Sequence, residues 1–320
     1  MTDHSMNLFI TGANGWIGRA LCTRLANDSV DFRAAVRSCD SNLPAYKNSV
    51  VGEINDKTDW RSALKGINTV VHLASRVHVM SDASDNPLSE YRQVNVQGTL
   101  HLARRAVLAG VTRYVFVSSV KVNGELTPSG HPFIESDQPH PQDPYGISKY
   151  EAEQGLQKIA AQTGMEVVII RPPLVYGPGV KANFAQLIHA VQKGWPLPLG
   201  SIHNLRSLIA LDNLVDFIIT CTTHPMAAFQ TFLISDGQDI STPELIQGIA
   251  KAAGIRAHVL PVPVWVLMCA GKLTGKSNAV QRLCGNLQID STKARSLLGW
   301  RPVVSFHEGL RRTMDGVLKP

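Results

Sequence analysis

Residues 8–18 read Leu-Phe-Ile-Thr-Gly-Ala-Asn-Gly-Trp-Ile-Gly, and this stretch decides the fold. Its first four residues predict a strand, and a helical pattern follows over residues 17–26. Gly12 permits a tight turn, Gly15 lets the backbone approach a pyrophosphate, and Gly18 lets the helix pack closely on the strand. The helix N-terminus then offers free N–H groups and a positive dipole end to phosphates. The sequence therefore predicts a dinucleotide-binding loop, with these candidate residues: Gly12, Asn14, Gly15, Trp16, Ile17 and Gly18.

The chain beyond this loop alternates short β-rich runs with helical patterns as far as Arg171. Strands are predicted at 32–36, 50–54, 69–73, 114–118 and 166–171, and helices at 88–109 and 145–162. Such alternation predicts an α/β protein of the Rossmann type, with a doubly wound parallel sheet covered on both faces. Prolines interrupt the pattern after Arg171 and indicate a smaller C-terminal lobe that binds substrate. We expect a dinucleotide-binding domain at 1–172 and a substrate lobe at 173–320, with segments near 207–235 returning to the first domain.

Composition narrows the class of protein. The 320 residues carry a net charge of +6, which suits an anionic ligand such as a phosphorylated cofactor or a nucleotide sugar. No run of Lys or Arg and no nucleic-acid-binding motif is present, so we expect no nucleic-acid partner. Five cysteines without metal-ligand spacing indicate a reduced, cytoplasmic protein without a metal site. The most apolar stretch, residues 262–271, is too short to span a bilayer. We expect it to be a buried helix, with contact to a membrane surface as the alternative.

Three residues carry the predicted chemistry. Tyr145 and Lys149 are four apart in a predicted helix and therefore share a face. A neighbouring ammonium stabilises a phenolate and lowers the pKa of the phenol from its usual value of about 10. Such a phenol exchanges a proton with a substrate oxygen near neutral pH. Ser119 ends the preceding strand, where its hydroxyl can bond the same oxygen, so the sequence predicts an oxidoreductase that acts on a hydroxyl or a ketone.

The end of the second strand indicates which cofactor is used. NAD-binding sites place an acidic residue there to hold both ribose hydroxyls, but this chain has Arg37. Asp31 lies at the start of that strand and Asp40 beyond its end. A guanidinium suits a 2′-phosphate, so NADP(H) is favoured, with NAD(H) as the alternative.

Together these motifs resemble the extended short-chain dehydrogenases/reductases, in the NAD-dependent epimerase/dehydratase family. Within that family the motifs resemble those of UDP-4-keto-6-deoxy-N-acetylhexosamine 4-reductases and of UDP-glucose 4-epimerase-like proteins. The resemblance covers nearly the whole chain and includes the segment 171–178 that crosses to the substrate lobe and the C-terminal segment 294–302.

The resemblance implies roles for further residues. Glu53 and Ile54 would lie beside the adenine, and the nicotinamide side would be formed by Leu73, Ala74, Ser75 and Pro172. Tyr145 and Lys149 would also contact the cofactor, and Asn95 would join Ser119, Tyr145 and Lys149 in the catalytic set. The substrate would be bound by Lys121, Asn183, Arg206 and Arg282.

Two departures from the family pattern narrow the reaction. Sugar dehydratases have an Asp-Glu pair where this chain has Val120-Lys121, which argues against dehydration and decarboxylation. Leu174 replaces an asparagine that many members place against the substrate. The leading hypothesis is reduction of a 4-keto-6-deoxy UDP-hexosamine by NADPH, with Tyr145 as the acid/base. The alternatives are a UDP-hexose 4-epimerase with retained NAD, a 3β-hydroxysteroid-type dehydrogenase, and a non-catalytic NADP-sensing protein.

A homodimer is also expected. The helices predicted at 88–109 and 145–162 carry apolar residues beyond one core-facing stripe. Two such helices from each subunit would form a four-helix contact. The residues concerned are Leu100, Val107, Leu108, Leu156 and Ile159.

Overall fold

The computed structural model describes residues 7–38, 47–77 and 86–318. Its strands are β1 (Leu8–Thr11), β2 (Phe32–Val36), β3 (Lys47–Val50), β4 (Thr69–His72), β5 (Arg113–Val117), β6 (Glu166–Arg171), β7 (Leu174–Tyr176), β8 (Arg206–Ala210), β9 (Thr231–Leu233) and β10 (Asp239–Ile240). Seven strands form one parallel sheet in the order β3-β2-β1-β4-β5-β6-β9. This is the strand order of a Rossmann sheet, so the predicted fold class is confirmed.

Helices cover both faces of this sheet and build the second lobe. They are α1 (Trp16–Asn27), α2 (Pro87–Tyr91), a π-helical segment (Arg92–Gly98), α3 (Thr99–Leu108), a 3₁₀ turn (Val120–Val122), α4 (Pro144–Thr163), α5 (Ala182–Gln192), α6 (Leu211–Thr223), a second 3₁₀ turn (Pro225–Ala227), α7 (Thr242–Ala252), α8 (Val264–Leu273), α9 (Ser277–Cys284), α10 (Thr292–Leu298) and α11 (Phe306–Leu318).

The central strands are buried on both faces. In β1, Leu8 and Ile10 point into a core formed with α1 and α6, while Phe9 points into a second core with Trp60. All three side chains are fully buried. A strand that is covered on both sides gains from apolar residues at every position, which explains the unbroken apolar run before the glycine loop. The carboxyl ends of β1, β4, β5 and β6 then meet at one edge of the sheet, where the order reverses between β1 and β4.

Two elements differ from the prediction. The strand predicted at 50–54 lies at 47–50, where it pairs with residues 33–36 of β2. It ends there because Gly52, with φ +71°, turns the chain away from the sheet edge. The helix predicted at 88–109 contains a π-helical segment over residues 92–98, a feature that often marks functional sites.

A smaller sheet, in the order β10-β8-β7, forms the second lobe with α5, α7 and α11. The chain also returns to the first lobe, since α6 packs on the central sheet and β9 pairs with β6. The division at residue 172 stays a prediction.

The expectation that residues 262–271 form a buried helix is wrong. Most of this stretch lies in α8, in which only Gly271 is buried, while Trp265 is 69% exposed. An apolar run has the same sequence pattern whether its helix is buried or lies at a surface. Within the described residues, no helix has the length and apolarity that crossing a bilayer requires.

Two of the residues behind the homodimer prediction lie in the core. Leu156 and Ile159 are buried against the central sheet. Leu100 packs against Gly155, between α3 and α4. Leu108 is 75% exposed and Val107 is half-buried. The homodimer stays a prediction, and fewer of these apolar side chains are exposed for a subunit contact than the sequence indicated.

Candidate active site

The glycine loop is shaped so that side chains cannot enter it. Gly12 has φ +70°, and a Cβ there would lie 2.7 Å from the backbone nitrogen of Ala74. A Cβ on Gly18 would lie 2.1 Å from the carbonyl oxygen of Gly12. Gly15 is the N-cap of α1 and supplies no side-chain cap, so the first N–H groups of the helix remain open. This cradle fits the diphosphate of a dinucleotide.

The residues around the loop add to this fit. The Asn14 side-chain oxygen is buried and has no hydrogen-bond partner among the described residues, which leaves it able to accept a hydrogen bond from a ligand. Trp16 Nε1 donates to the carbonyl oxygen of Pro178 over 2.6 Å and ties the loop to the crossing segment. Ile17 packs against the core beneath the loop. The residues present therefore fit a dinucleotide cofactor.

The end of β2 leaves the choice of cofactor open. Arg37 follows the strand, is exposed, and makes no hydrogen bond or ion pair with the residues that the structure describes. Asp31 pairs with Lys47 over 2.9 Å at the other end of β2. Asp40 lies outside the described residues.

The remaining predicted cofactor residues lie around the same sheet edge. Glu53 is exposed, and Ile54 packs against Gly98 in the π-helical segment. Leu73 and Ala74 continue β4, and the Ala74 backbone approaches Gly12. The buried Pro172 accepts a hydrogen bond from the Val120 backbone N–H over 3.0 Å. Their roles toward a cofactor stay predictions.

His72 precedes Leu73 and Ala74 in the strand end that resembles the family's nicotinamide segment, and it locks this edge of the sheet, a role that was not predicted. Its ring nitrogens lie 2.6 Å from Thr11 Oγ1 and 2.9 Å from Thr99 Oγ1, so it joins β1, β4 and α3. Burial, helped by the charge of Lys149, lowers the pKa of His72 to about 3. The ring is therefore neutral at physiological pH and acts as a structural bridge. A single histidine at the end of an otherwise apolar strand was the available signal.

Asn95 connects the end of β4 to the start of α4. It accepts hydrogen bonds from Ser75 Oγ (3.0 Å) and from the Arg76 backbone N–H (2.8 Å). Its own amide donates to Arg76 O (3.1 Å) and to Ser148 Oγ (3.0 Å). Ser148 Oγ donates in turn to the Tyr145 carbonyl oxygen over 2.7 Å. Asn95 thus positions the first turn of α4, which is a structural role.

Lys149 is buried among the carboxyl ends of the strands. Its ammonium donates to the Val117 carbonyl oxygen over 2.9 Å and lies 4.6 Å from the centre of the Phe116 ring. Its distance to the centre of the Tyr145 ring is 5.9 Å. Burial lowers the pKa of Lys149 to about 7, against the opposing influence of Glu153. The side chain therefore changes charge near physiological pH.

Tyr145 differs from the prediction. Burial raises the pKa of Tyr145 above its ordinary value, and Asp143 and Tyr91 raise it further. Tyr91 stands edge-on to the Tyr145 ring, with 6.2 Å between the ring centres. The expectation that Lys149 lowers this pKa is wrong for this structure, because burial disfavours the charge of Lys149 as well as that of the phenolate.

Ser119 lies at the same sheet edge. It is half-buried just beyond β5, and its Oγ accepts a hydrogen bond from the Lys121 backbone N–H over 3.2 Å. Lys149 bonds the carbonyl of Val117, two residues before it. The strand end and α4 therefore bring the predicted trio to one place.

A buried ion pair fixes α4 against β6. Arg171 donates to both carboxylate oxygens of Glu153, over 3.0 and 2.5 Å, and to Asn123 Oδ1 over 3.0 Å. Glu153 follows Lys149 by one turn of α4, so the pair holds the catalytic helix in register.

Three of the four predicted substrate residues belong to one cluster, which we call the charged cluster: Lys121, Glu125, Asp143, Arg206 and Arg282. Lys121 pairs with Asp143 and lies 3.7 Å from Glu125, and Arg282 lies 3.9 Å from Glu125. Arg206 donates to the Arg282 carbonyl oxygen over 2.7 Å. Burial and the neighbouring Arg282 lower the pKa of Arg206.

Two acidic members of the charged cluster were missed. Asp143 is the N-cap of α4 and accepts from the Gly146 backbone N–H over 2.7 Å. Its signal was an Asp-Pro pair before a predicted helix. Glu125 lies four residues after Lys121, which was its only local signal, because its contact with Arg282 joins positions about half the chain apart.

Two other substrate-side residues lie apart. Asn183 is exposed in the first turn of α5, and no contact recorded for the described residues joins it to the charged cluster. Leu174 begins β7 and is 47% exposed, so an apolar side chain stands open at the crossing between the lobes.

Comparison with known proteins places this geometry in a family. Residues 8–234 match the model of the NAD dependent epimerase/dehydratase family. The chain is 47% identical to a UDP-glucose 4-epimerase of Vibrio cholerae, over 98% of this chain and 96% of that protein. It is 29% identical to an Escherichia coli O157:H7 protein, the N-acetyl-alpha-D-glucosaminyl-diphospho-ditrans,octacis-undecaprenol 4-epimerase, over 97% and 94% of the two chains.

A solved structure, MoeE5 in complex with UDP-glucose and NAD, is 26% identical and superimposes with a TM-score of 0.77, covering 97% of this chain and 98% of that one. The matched segment contains the glycine loop, Ser119, Tyr145 and Lys149. The chain is therefore an enzyme of the short-chain dehydrogenase/reductase type and belongs to the NAD dependent epimerase/dehydratase family.

Proposed function

We propose that this enzyme is a 4-epimerase, which inverts the configuration at C4 of a hexose or N-acetylhexosamine attached to a diphosphate. It keeps its NAD between turnovers. The observation that carries the proposal is the 47% identity to the Vibrio cholerae UDP-glucose 4-epimerase along almost the whole chain. The epimerase alternative thus replaces the reductase as the leading hypothesis, since two of the relatives named above are 4-epimerases.

The residues supply proton transfer and orientation. In this proposal Tyr145 acts as a phenolate, which takes the proton of the C4 hydroxyl and later returns it, while Ser119 holds the same oxygen. Burial keeps the phenol protonated in this structure, so its proton has to leave first, and the positive charge that NAD would bring favours the phenolate. The glycine loop and Lys149 would hold NAD, which would supply a hydride acceptor for C4 and a hydride donor for the return to the other face of the sugar. Lys149, with a pKa of about 7, can gain or lose a proton, and in its charged form it stabilises the Tyr145 phenolate.

NAD is proposed in place of the NADP(H) expected from Arg37. MoeE5 holds NAD, and the family is described by its NAD dependence. Arg37 is exposed, so water solvates its guanidinium when no 2′-phosphate is present. The arginine therefore does not exclude NAD.

We propose the charged cluster as the site of the substrate diphosphate. Lys121, Arg206 and Arg282 bring three cations together against two carboxylates. Burial is the main cause of the lowered pKa of Arg206 and the neighbouring Arg282 adds to it, so a bound diphosphate would stabilise the charge of Arg206. The relatives' names differ in what carries the diphosphate, uridine in one and a polyprenol in the other.

The test is to incubate the purified enzyme with UDP-glucose or UDP-N-acetylglucosamine and no added cofactor. We expect the C4 epimer to form, and NAD to be released when the protein is denatured. Failure to form either epimer, together with NADPH oxidation on a 4-keto-6-deoxy UDP-sugar, would restore the reductase hypothesis. Oxidation of a 3β-hydroxysteroid would instead favour the steroid alternative, and cofactor binding without any turnover would favour the sensor.

A further inference from the structure

Helices α8 and α9 form a hairpin with an unusual apolar surface. Eight of the ten residues in α8 are apolar, yet only Gly271 is buried. Trp265 is 69% exposed and Leu273 is 89% exposed, while Leu260, just before the helix, is 47% exposed. An apolar patch of this kind marks a surface that contacts something else.

The hairpin is attached to the second lobe by its inner side. Val264, Leu267 and Cys284 pack against the core of that lobe. The two helices cross closely at Gly271, where a Cβ would lie 2.8 Å from Val280 Cγ2. The outer face is therefore held in a fixed position and presents Trp265 and Leu273 to the outside.

The charge of this region indicates what the face contacts. Residues 245–289 contain no Asp and no Glu but five basic residues: Lys251, Arg256, Lys272, Lys276 and Arg282. Lys272 and Lys276 are exposed and flank Leu273 at the tip of the hairpin. Exposed aromatic and aliphatic side chains with a basic border and no acidic residue are the features of a helix that lies at an anionic membrane surface.

The position of the active site agrees with such a surface. Arg282 belongs to α9 and also to the charged cluster, through its 3.9 Å approach to Glu125. A second copy of the chain is a poorer occupant of the face, because it would bring the same cations against each other.

We propose that the α8–α9 hairpin docks the enzyme on the surface of an anionic lipid bilayer, with Trp265 and Leu273 in the headgroup region. The charged cluster then lies beside the lipid surface. This inference does not depend on the epimerase assignment, since binding to vesicles requires no turnover.

The test is co-sedimentation of the full chain with vesicles. One set is pure phosphatidylcholine, and the other contains about 30 mol% phosphatidylglycerol. The wild type should bind the anionic vesicles, and binding should weaken at high salt. The double variant Trp265→Ser/Leu273→Ser and the charge variant Lys272→Glu/Lys276→Glu should each bind at least about tenfold more weakly.

A matched control is Met226→Ser/Val303→Ser, which removes two apolar side chains of 54% and 53% exposure from outside the hairpin. It should bind like the wild type. All variants change exposed residues, and unchanged thermal midpoints will verify that they fold. Equal binding of the Trp265→Ser/Leu273→Ser variant and the wild type would overturn the proposal, as would a wild type that binds neither vesicle. A wild-type dimer that this variant converts to monomers would assign the face to subunit contact instead.

Discussion

The decisive residue is Tyr145, whose proton is held more tightly than the sequence indicated. Burial is the main cause, and Asp143, at the start of the same helix, adds to it. Burial also lowers the pKa of the neighbouring Lys149, to about 7. The trio was predicted from the spacing of Tyr145 and Lys149 together with the glycine loop and the place of Ser119 at a strand end. The directions of these pKa shifts depend on burial, which no local pattern shows.

Replacing Tyr145 with phenylalanine removes the proton carrier and keeps the ring. We expect Tyr145→Phe to lower turnover by about two to four orders of magnitude, while the amount of bound NAD stays unchanged. Tyr91→Phe is the matched control, because that ring lies 6.2 Å from the Tyr145 ring and its hydroxyl makes, among the described residues, a long 3.4 Å contact with the Val77 carbonyl. It should stay within about tenfold of wild-type turnover. Steady-state kinetics decide the matter, and a Tyr145→Phe enzyme within about tenfold of wild type contradicts the assignment.

Asp143→Asn tests the influence of the N-cap on the phenol. Asparagine still caps a helix, but the variant lacks the negative charge that raises the pKa of Tyr145. The pKa of Tyr145 should therefore fall, and the low-pH limb of the turnover profile should move to lower pH. A profile that coincides with that of the wild type would show that Asp143 does not act on Tyr145.

Breaking the buried ion pair Glu153–Arg171 should lower the free energy of unfolding far more than breaking a surface ion pair. Glu153→Gln leaves the Arg171 guanidinium buried without its counter-ion, which costs about 3–5 kcal/mol of unfolding free energy. Glu151 offers a matched control on the same helix, since its pair with Arg92 is partly exposed and its loss should cost less than about 1 kcal/mol. Urea unfolding measures the loss of free energy in each variant. Equal losses would contradict the claim that the buried pair stabilises the fold more than the surface pair.

Among the elements, those with a strict pattern could be predicted and those set by tertiary contacts could not. The strand, glycine loop and helix of residues 8–27 follow from apolar periodicity and from the places where only glycine fits. The predicted bounds of β3 were wrong because the position of this strand depends on its pairing with β2 and on the turn at Gly52. Helix α8 was misjudged because an apolar run does not specify what covers it.

His72 links three of these elements and predicts how stability depends on pH. An unfolded histidine has a pKa of about 6.5, while that of the buried His72 is about 3. As the pH falls, His72 is therefore protonated first in the unfolded chain. Its contribution to the free energy of unfolding is fully present above a pH of about 6.5 and is lost as the pH falls toward 3.

The matched variant is His72→Gln, which keeps hydrogen-bonding groups between Thr11 and Thr99 but cannot titrate in this range. Unfolding free energies measured from pH 7 to pH 4 should fall more steeply for the wild type than for the variant. Parallel curves would mean that His72 is not held neutral by the fold.

At the scale of the whole molecule, the Rossmann sheet places the catalytic trio and the second lobe supplies the charged cluster. The first half of this arrangement could be predicted from the sequence, because the cofactor loop and Tyr145-Lys149 are local patterns. The substrate side came mainly from resemblance, since Lys121, Arg206 and Arg282 meet only through the fold. Their acidic partners went unnoticed for the same reason.

The central claim is that the enzyme inverts C4 by removing a hydride and returning it to the same sugar. It is tested most directly with UDP-N-acetylglucosamine or UDP-glucose that carries deuterium at C4, incubated with the enzyme and no added cofactor. The account predicts a C4 epimer that retains the deuterium at C4, with no net change in the oxidation state of the bound NAD. An epimer that has lost the label to solvent, or no epimer from either sugar, would contradict it.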